Sequence, residues 1–111
     1  MLAGFGDVVI TPPLGLHMQG YFAPRIAEGI KDHLYSRALV VSQDDRHVAV
    51  VVTDLIDVLP EDVTAVKRLV EERLGIPGSN VLIAASHTHT GPAVNRRPGF
   101  QRDETYMQTW A

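Results

Sequence analysis

The sequence predicts an α/β fold: a mixed sheet of about four strands, with a β-hairpin followed by a right-handed βαβ unit, incomplete at the C-terminus. Three observations predict it. Two apolar runs flank the polar stretch Gln43-Asp44-Asp45-Arg46. A helical repeat over residues 60–74 stands between two β-branched segments. The chain closes at Ala111 on what reads as the opening turns of a helix.

Residues 5–10 (Phe-Gly-Asp-Val-Val-Ile) form a short first strand, stopped by Thr11-Pro12-Pro13 because proline cannot donate to a ladder. Residues 35–42 form the second, and Gln43–Arg46 a four-residue hairpin loop. Residues 47–54 form the third. Val48, Val50 and Val52 fall on one phase and Ala49 and Val51 on the other. A strand apolar on both phases is expected inside a sheet covered on both faces. Over 60–74, Val63, Val66, Leu69, Val70 and Leu74 recur at steps of three and four. Pro60 suits the first helical position, Glu61 and Asp62 suit the positive end of the dipole, and Gly75 suits the C-terminal stop. Residues 80–86 form the fourth strand.

A strand–helix–strand unit of this length makes its two strands parallel. Their carboxyl ends then share one edge of the sheet, where open α/β folds bind ligands. Asp54, His87 and His89 follow those ends, so topology alone brings them together.

Two stretches fit no regular element. Residues 14–33 read as a surface loop pinned by Leu14, Leu16, Tyr21 and Phe22, although a loop holding His17, Tyr21 and Arg25 can also line a pocket. Residues 91–103 are a second loop, followed by a helical start with Asp103 as its cap. That helix is expected to leave Tyr106, Met107 and Trp110 incompletely buried, which suggests a truncated protein.

The 111 residues hold one domain, 1–111, of ordinary globular composition, 45% hydrophobic and 21% charged. Zero cysteine excludes disulfides, thiolate metal sites and cysteine nucleophiles. A charge of −3 with scattered basic residues speaks against a nucleic-acid partner. No apolar run reaches the length of a transmembrane segment. No secretory leader is visible, so the provisional compartment is cytoplasmic.

The sharpest chemical signal is Ser86-His87-Thr88-His89-Thr90-Gly91-Pro92. Histidines at i and i+2 in extended geometry point to one side of the chain. Imidazole is a common ligand of catalytic zinc, whose sites keep a position open for water. The apolar lead-in and Gly-Pro exit favour a metal site over an exposed polar pair at a strand end. Asp54 lies in phase with the apolar valines, where an unpaired carboxylate is costly; it either orients a histidine or touches a metal through water, or else it is solvated as the strand leaves the core or caps nearby backbone amides. His33 and His47 read as ordinary, and Ser36 and Ser42 show no base partner.

These residues, taken in order, resemble the N-terminal region of the neutral/alkaline non-lysosomal ceramidase family. Asp7–Pro13 resembles its opening strand, Met18-Gln19-Gly20-Tyr21 its Met-x-Gly-Tyr, and Gly29–Ala38 its Gly-Ile-His and Arg-Ala stretch. Thr53-Asp54-Leu55 and His87–Pro92 complete the series; Lys31 stands where the family usually has histidine. The resemblance implies a Zn2+-dependent amidase that cleaves the N-acyl bond of a ceramide-like lipid by a zinc-activated water. It implies that His87 is a metal ligand and that His89 lies close to the metal or the substrate. It places the remaining ligands in the rest of the catalytic domain, beyond Ala111. Asp54 is then expected to support the histidines, with His89 and Asp54 as the catalytic candidates. The 111-residue chain alone is expected to bind zinc weakly and to be inactive. Two alternatives stand: a His-x-His hydrolase of amidohydrolase type, opposed by the hairpin before the motif, and a non-catalytic interaction domain.

Overall fold

In the computed structural model, which describes residues 1–111, strands β1 (Leu2–Val9), β2 (His17–Gln19) and β3 (Arg25–Ile26) lead into a long hairpin. That hairpin is β4 (Tyr35–Gln43) and β5 (Arg46–Thr53). Helix α1 (Pro60–Leu74), a short 3-10 turn (Gly78–Asn80), β6 (Val81–Ala85), β7 (Gly91–Pro92) and helix α2 (Glu104–Trp110) follow. The main sheet has the order β1-β4-β5-β6, and a small second sheet the order β3-β2-β7. The hairpin and the βαβ unit are both present: β4 and β5 are antiparallel, while β5 and β6 are parallel neighbours joined through α1.

The local signals in the sequence act as expected in α1. It runs from Pro60 to Leu74 and stops at Gly75, which turns left-handed (φ 68°) and returns its N–H to the Glu71 carbonyl at 3.0 Å. Leu74, expected on the apolar face, is exposed. The hairpin turn is tighter than expected: Gln43 pairs with Arg46, leaving Asp44-Asp45 as a two-residue loop with Asp44 at φ 53°. Two-residue turns match the twist of antiparallel strands, and aspartate tolerates a left-handed backbone. β1 begins earlier than its β-branched residues suggest, because its backbone pairs with β4 all the way from Leu2↔Ser42 to Val9↔Tyr35.

One face of the main sheet is covered. Ala49 and Val81 are buried there with Ile76, and Val40, Val70 and Ile83 pack against them. The other face is bare, contrary to the expectation of a sheet covered on both sides. Phe5, Leu39, Val50 and Leu82 are cross-strand neighbours on it, and all are exposed, as are Val48 and Val52.

The larger core lies beyond the sheet, where Ile10, Leu55, Val94, Tyr106 and Met107 meet. The end of the chain is thus better buried than expected: Tyr106 is 9% and Met107 3% exposed, with Trp110 against them. Asp103 caps α2 by accepting the Tyr106 N–H at 2.7 Å. The Tyr106 hydroxyl donates to the Ile10 carbonyl at 2.6 Å, and the Trp110 indole N–H donates to Thr53 Oγ1 at 2.9 Å. Burial pushes the Tyr106 phenol up to about 12.

Residues 91–94 and Arg102 are held as firmly. Gly91, Pro92, Ala93 and Val94 are all buried. Arg102 grips Asp62 in the first turn of α1 through two bonds of 2.6 and 2.7 Å, and donates to the Val94 carbonyl at 3.0 Å. The Asp62 hydrogen bonds lead in pushing the Arg102 guanidinium above its ordinary range. No helix is long and apolar enough to cross a membrane.

Candidate functional site

The parallel pair β5 and β6 ends in register, Thr53 opposite Ala85. Beyond that point the two chains stay joined. Ser86 N–H donates to the Thr53 carbonyl at 2.9 Å, and His87 N–H donates to the Leu55 carbonyl at 3.0 Å. The His87 ring continues the row, its Nδ1 lying 2.7 Å from the Ile56 carbonyl oxygen. A carbonyl oxygen only accepts, so Nδ1 carries a proton and Nε2 is the ring nitrogen left to bind a metal, an assignment made from the hydrogen bond.

His87 adopts φ 63°. A left-handed backbone costs an L-residue about 1–2 kcal/mol. The motif is therefore not an extended i, i+2 pair, as its spacing suggests. The chain bends at His87 because its backbone N–H and its ring both turn toward residues 55 and 56. The two imidazoles still meet, with centroids 4.9 Å apart and planes inclined at 71°.

His89 is set by the small sheet. β2 pairs with β7, Gln19 opposite Gly91, which brings Gly20 against the His89 backbone. Gly20 has φ 123°, and a Cβ there would stand 2.6 Å from His89 Cα. Arg25 Nη2 donates to the His89 carbonyl at 2.8 Å, and its guanidinium lies 3.8 Å from the centroid of the Tyr21 ring.

Asp54 sits beside the motif, as the topology requires, but the expected contact with a histidine ring is replaced by others. Its Oδ1 accepts the Ser86 hydroxyl at 2.9 Å. Its Oδ2 accepts the Tyr35 N–H at 2.9 Å and faces Arg37 at 3.3 Å. The carboxylate is satisfied by a backbone amide, a hydroxyl and a guanidinium, and the motif residue it touches is Ser86, next to His87.

The 14–33 segment is not the surface loop expected. It carries β2 and β3, and of its presumed anchors Leu14, Tyr21 and Phe22 are exposed while Leu16 is half-buried. With Leu34, Thr90, Gly91 and Pro92 it lines an open cleft of about 300 Å³, where Leu14, Leu16, Met18 and Ile30 are joined by His17, Lys31 and Asp32. His17 Nδ1 accepts the Gln101 N–H at 3.3 Å. Buried Gln19 accepts the Val94 and Asn95 N–H groups at 3.1 and 3.2 Å. The absence of a base near Ser42 is also corrected: its hydroxyl lies 2.7 Å from His47 Nδ1, its cross-strand neighbour.

The donor chemistry fits a nitrogen-ligated metal at His87, where the hydrogen bond to Ile56 leaves one ring nitrogen available. The chain itself brings no group of three or more His, Asp or Glu side chains to ligand spacing.

A family model described as neutral/alkaline non-lysosomal ceramidase, N-terminal, matches residues 1–101. The chain belongs to this ceramidase family. Among solved structures, neutral ceramidase from Pseudomonas aeruginosa is similar at 29% identity and a TM-score of 0.74, over 82% of this chain. A ceramidase complexed with C2 is similar at 28% identity and a TM-score of 0.70, also over 82% of this chain. The chain spans 15% of the length of each. No curated protein matches it. The described site, from Leu14 to Gln101, lies inside the residues matched by this ceramidase family model.

Proposed function

We propose that residues 1–111 form the N-terminal part of the catalytic domain of a zinc-dependent amide hydrolase acting on the N-acyl bond of a ceramide-like lipid. His87 is its zinc ligand. The observation that carries this reading is the double grip on His87, whose backbone N–H and ring Nδ1 both bond to residues 55–56 and leave Nε2 unengaged. A histidine held in a left-handed conformation with one nitrogen kept available is arranged for a ligand's task.

Bound zinc would supply Lewis acidity at the acyl carbonyl and a water acidified toward neutrality. The chain's own residues supply position. Asp54 ties the starts of β4 and of the motif together through Tyr35 and Ser86. His89 stands against His87 with its ring free to meet the substrate or pass a proton. The cleft beside Thr90, with Leu14, Leu16, Met18 and Ile30 on its walls, offers room for a hydrocarbon segment of a lipid.

The bare apolar face of the main sheet supports the reading of one part of a larger domain. Phe5, Leu39, Val50 and Leu82 need a covering layer, and a protein of the solved relatives' length has the chain to provide one.

Calorimetric zinc titration of the full-length enzyme tests the proposal. Wild type is expected to bind zinc and His87→Ala to lose at least about tenfold in affinity, together with amide hydrolysis. Absence of zinc binding in the wild type, or equal affinity in the variant, overturns it.

A further inference from the structure

The small sheet β3-β2-β7 bears on His89 from a direction that the βαβ unit does not supply. Met18 pairs with Arg25, and Gln19 pairs with Gly91, so β2 carries Arg25 to the backbone just before β7. His89 itself lies outside every strand. The bond from Arg25 Nη2 to its carbonyl therefore fixes a peptide that no ladder defines.

We propose that Arg25 is the positioning residue of His89: its guanidinium, laid on the Tyr21 ring, sets the His89 peptide and hence the direction of the imidazole. The proposal rests on the reading of His89 as a substrate-side imidazole. The planar guanidinium does two things at once. Its face stacks on Tyr21 at 3.8 Å while its edge donates at 2.8 Å. The Tyr21 ring in turn stands edge-on to the His89 ring, with centroids 6.3 Å apart. Gly20 closes the third side, since any side chain there would occupy the place of His89.

Arg25 Nε is buried without a protein partner, as is Gln19 Nε2 on the adjoining strand. The hydrogen bond that the Arg25 side chain makes goes to one carbonyl of the His-x-His motif.

Histidine-selective isotope labelling of the 111-residue protein, read by NMR, tests this on its five imidazoles. Arg25→Gln is expected to shift and broaden the His89 signals while those of His33 and His47 stay in place. Arg25→Lys keeps a donor but loses the stack, and is expected to give an intermediate shift. Unmoved His89 signals in Arg25→Gln overturn the proposal, as do equal shifts at His33 and His47, which mean general loosening. Should Arg25→Gln fail to fold, Arg25→Lys alone carries the test, and unmoved His89 signals in it overturn the proposal. In the intact enzyme, Arg25→Gln is expected to lower kcat about tenfold or more with KM little changed, and an unchanged kcat overturns it. Failure of zinc binding leaves the NMR result standing, and unmoved His89 signals sink this proposal alone.

Discussion

Gly20 and His89 touch backbone to backbone: a Cβ on Gly20 would stand 2.6 Å from the His89 Cα and equally close to its Cβ. The contact is possible only because Gly20 has no Cβ, and its φ of 123° is a second demand that side-chain-bearing residues avoid. Gly20→Ala is therefore expected to destabilise the protein by about 1–3 kcal/mol and to displace the motif. Chemical denaturation checks the first effect, and the positions of the His89 NMR signals check the second.

The Arg102–Asp62 pair predicts a larger effect. Both side chains are nearly buried, at 4% and 11% exposure, and they meet at 2.6 Å. Removing one partner leaves a buried charge uncompensated, so Arg102→Ala is expected to cost about 3–5 kcal/mol. Thermal unfolding measures it. The exposed pair Arg68–Glu72 serves as a control, where Arg68→Ala should cost less than about 1 kcal/mol.

Tyr106 predicts a dependence on pH. Its phenol is pushed up to about 12 by burial, against about 10 in the unfolded chain. The folded protein thus favours the neutral form. That contribution is complete below pH about 10 and is lost as pH rises through about 12, because the unfolded chain gives up its proton first. Tyr106→Phe is expected to flatten stability across that window. It also removes the bond to the Ile10 carbonyl, costing about 0.5–1.5 kcal/mol at neutral pH. Denaturant titrations at several alkaline pH values check both statements.

The bare sheet face predicts self-association. Leu39 and Val50 are adjacent, apolar and exposed. Leu39→Lys is expected to reduce association of the 111-residue protein in sedimentation velocity while changing its stability by less than about 0.5 kcal/mol.

The parts of the fold legible in the sequence are those decided locally. Pro60, Gly75 and Asp103 mark helix ends by their own backbone and side-chain chemistry, and the structure places the ends there. The parallel β5–β6 pair, which sets Asp54 beside the motif, follows from the strand–helix–strand order. What the sequence hid depends on pairing between distant segments. β2 and β3 are too short to show a period, so nothing local in the sequence sets Arg25 and the adjoining Gly20 against the motif. The Ser42–His47 contact needed the two-residue turn register. The bare sheet face was illegible because Val48, Val50 and Val52 read as core by composition alone.

The left-handed bend at His87 sets thermal robustness against chemistry at a single position. Glycine would adopt that bend without the strain of about 1–2 kcal/mol, but His87→Gly also gives up the ring's bond to the Ile56 carbonyl and loosens the unfolded chain, so the exchange is close to even. A laboratory screen that rewards only survival at high temperature would thus give no protection to the residue on which the proposed activity depends.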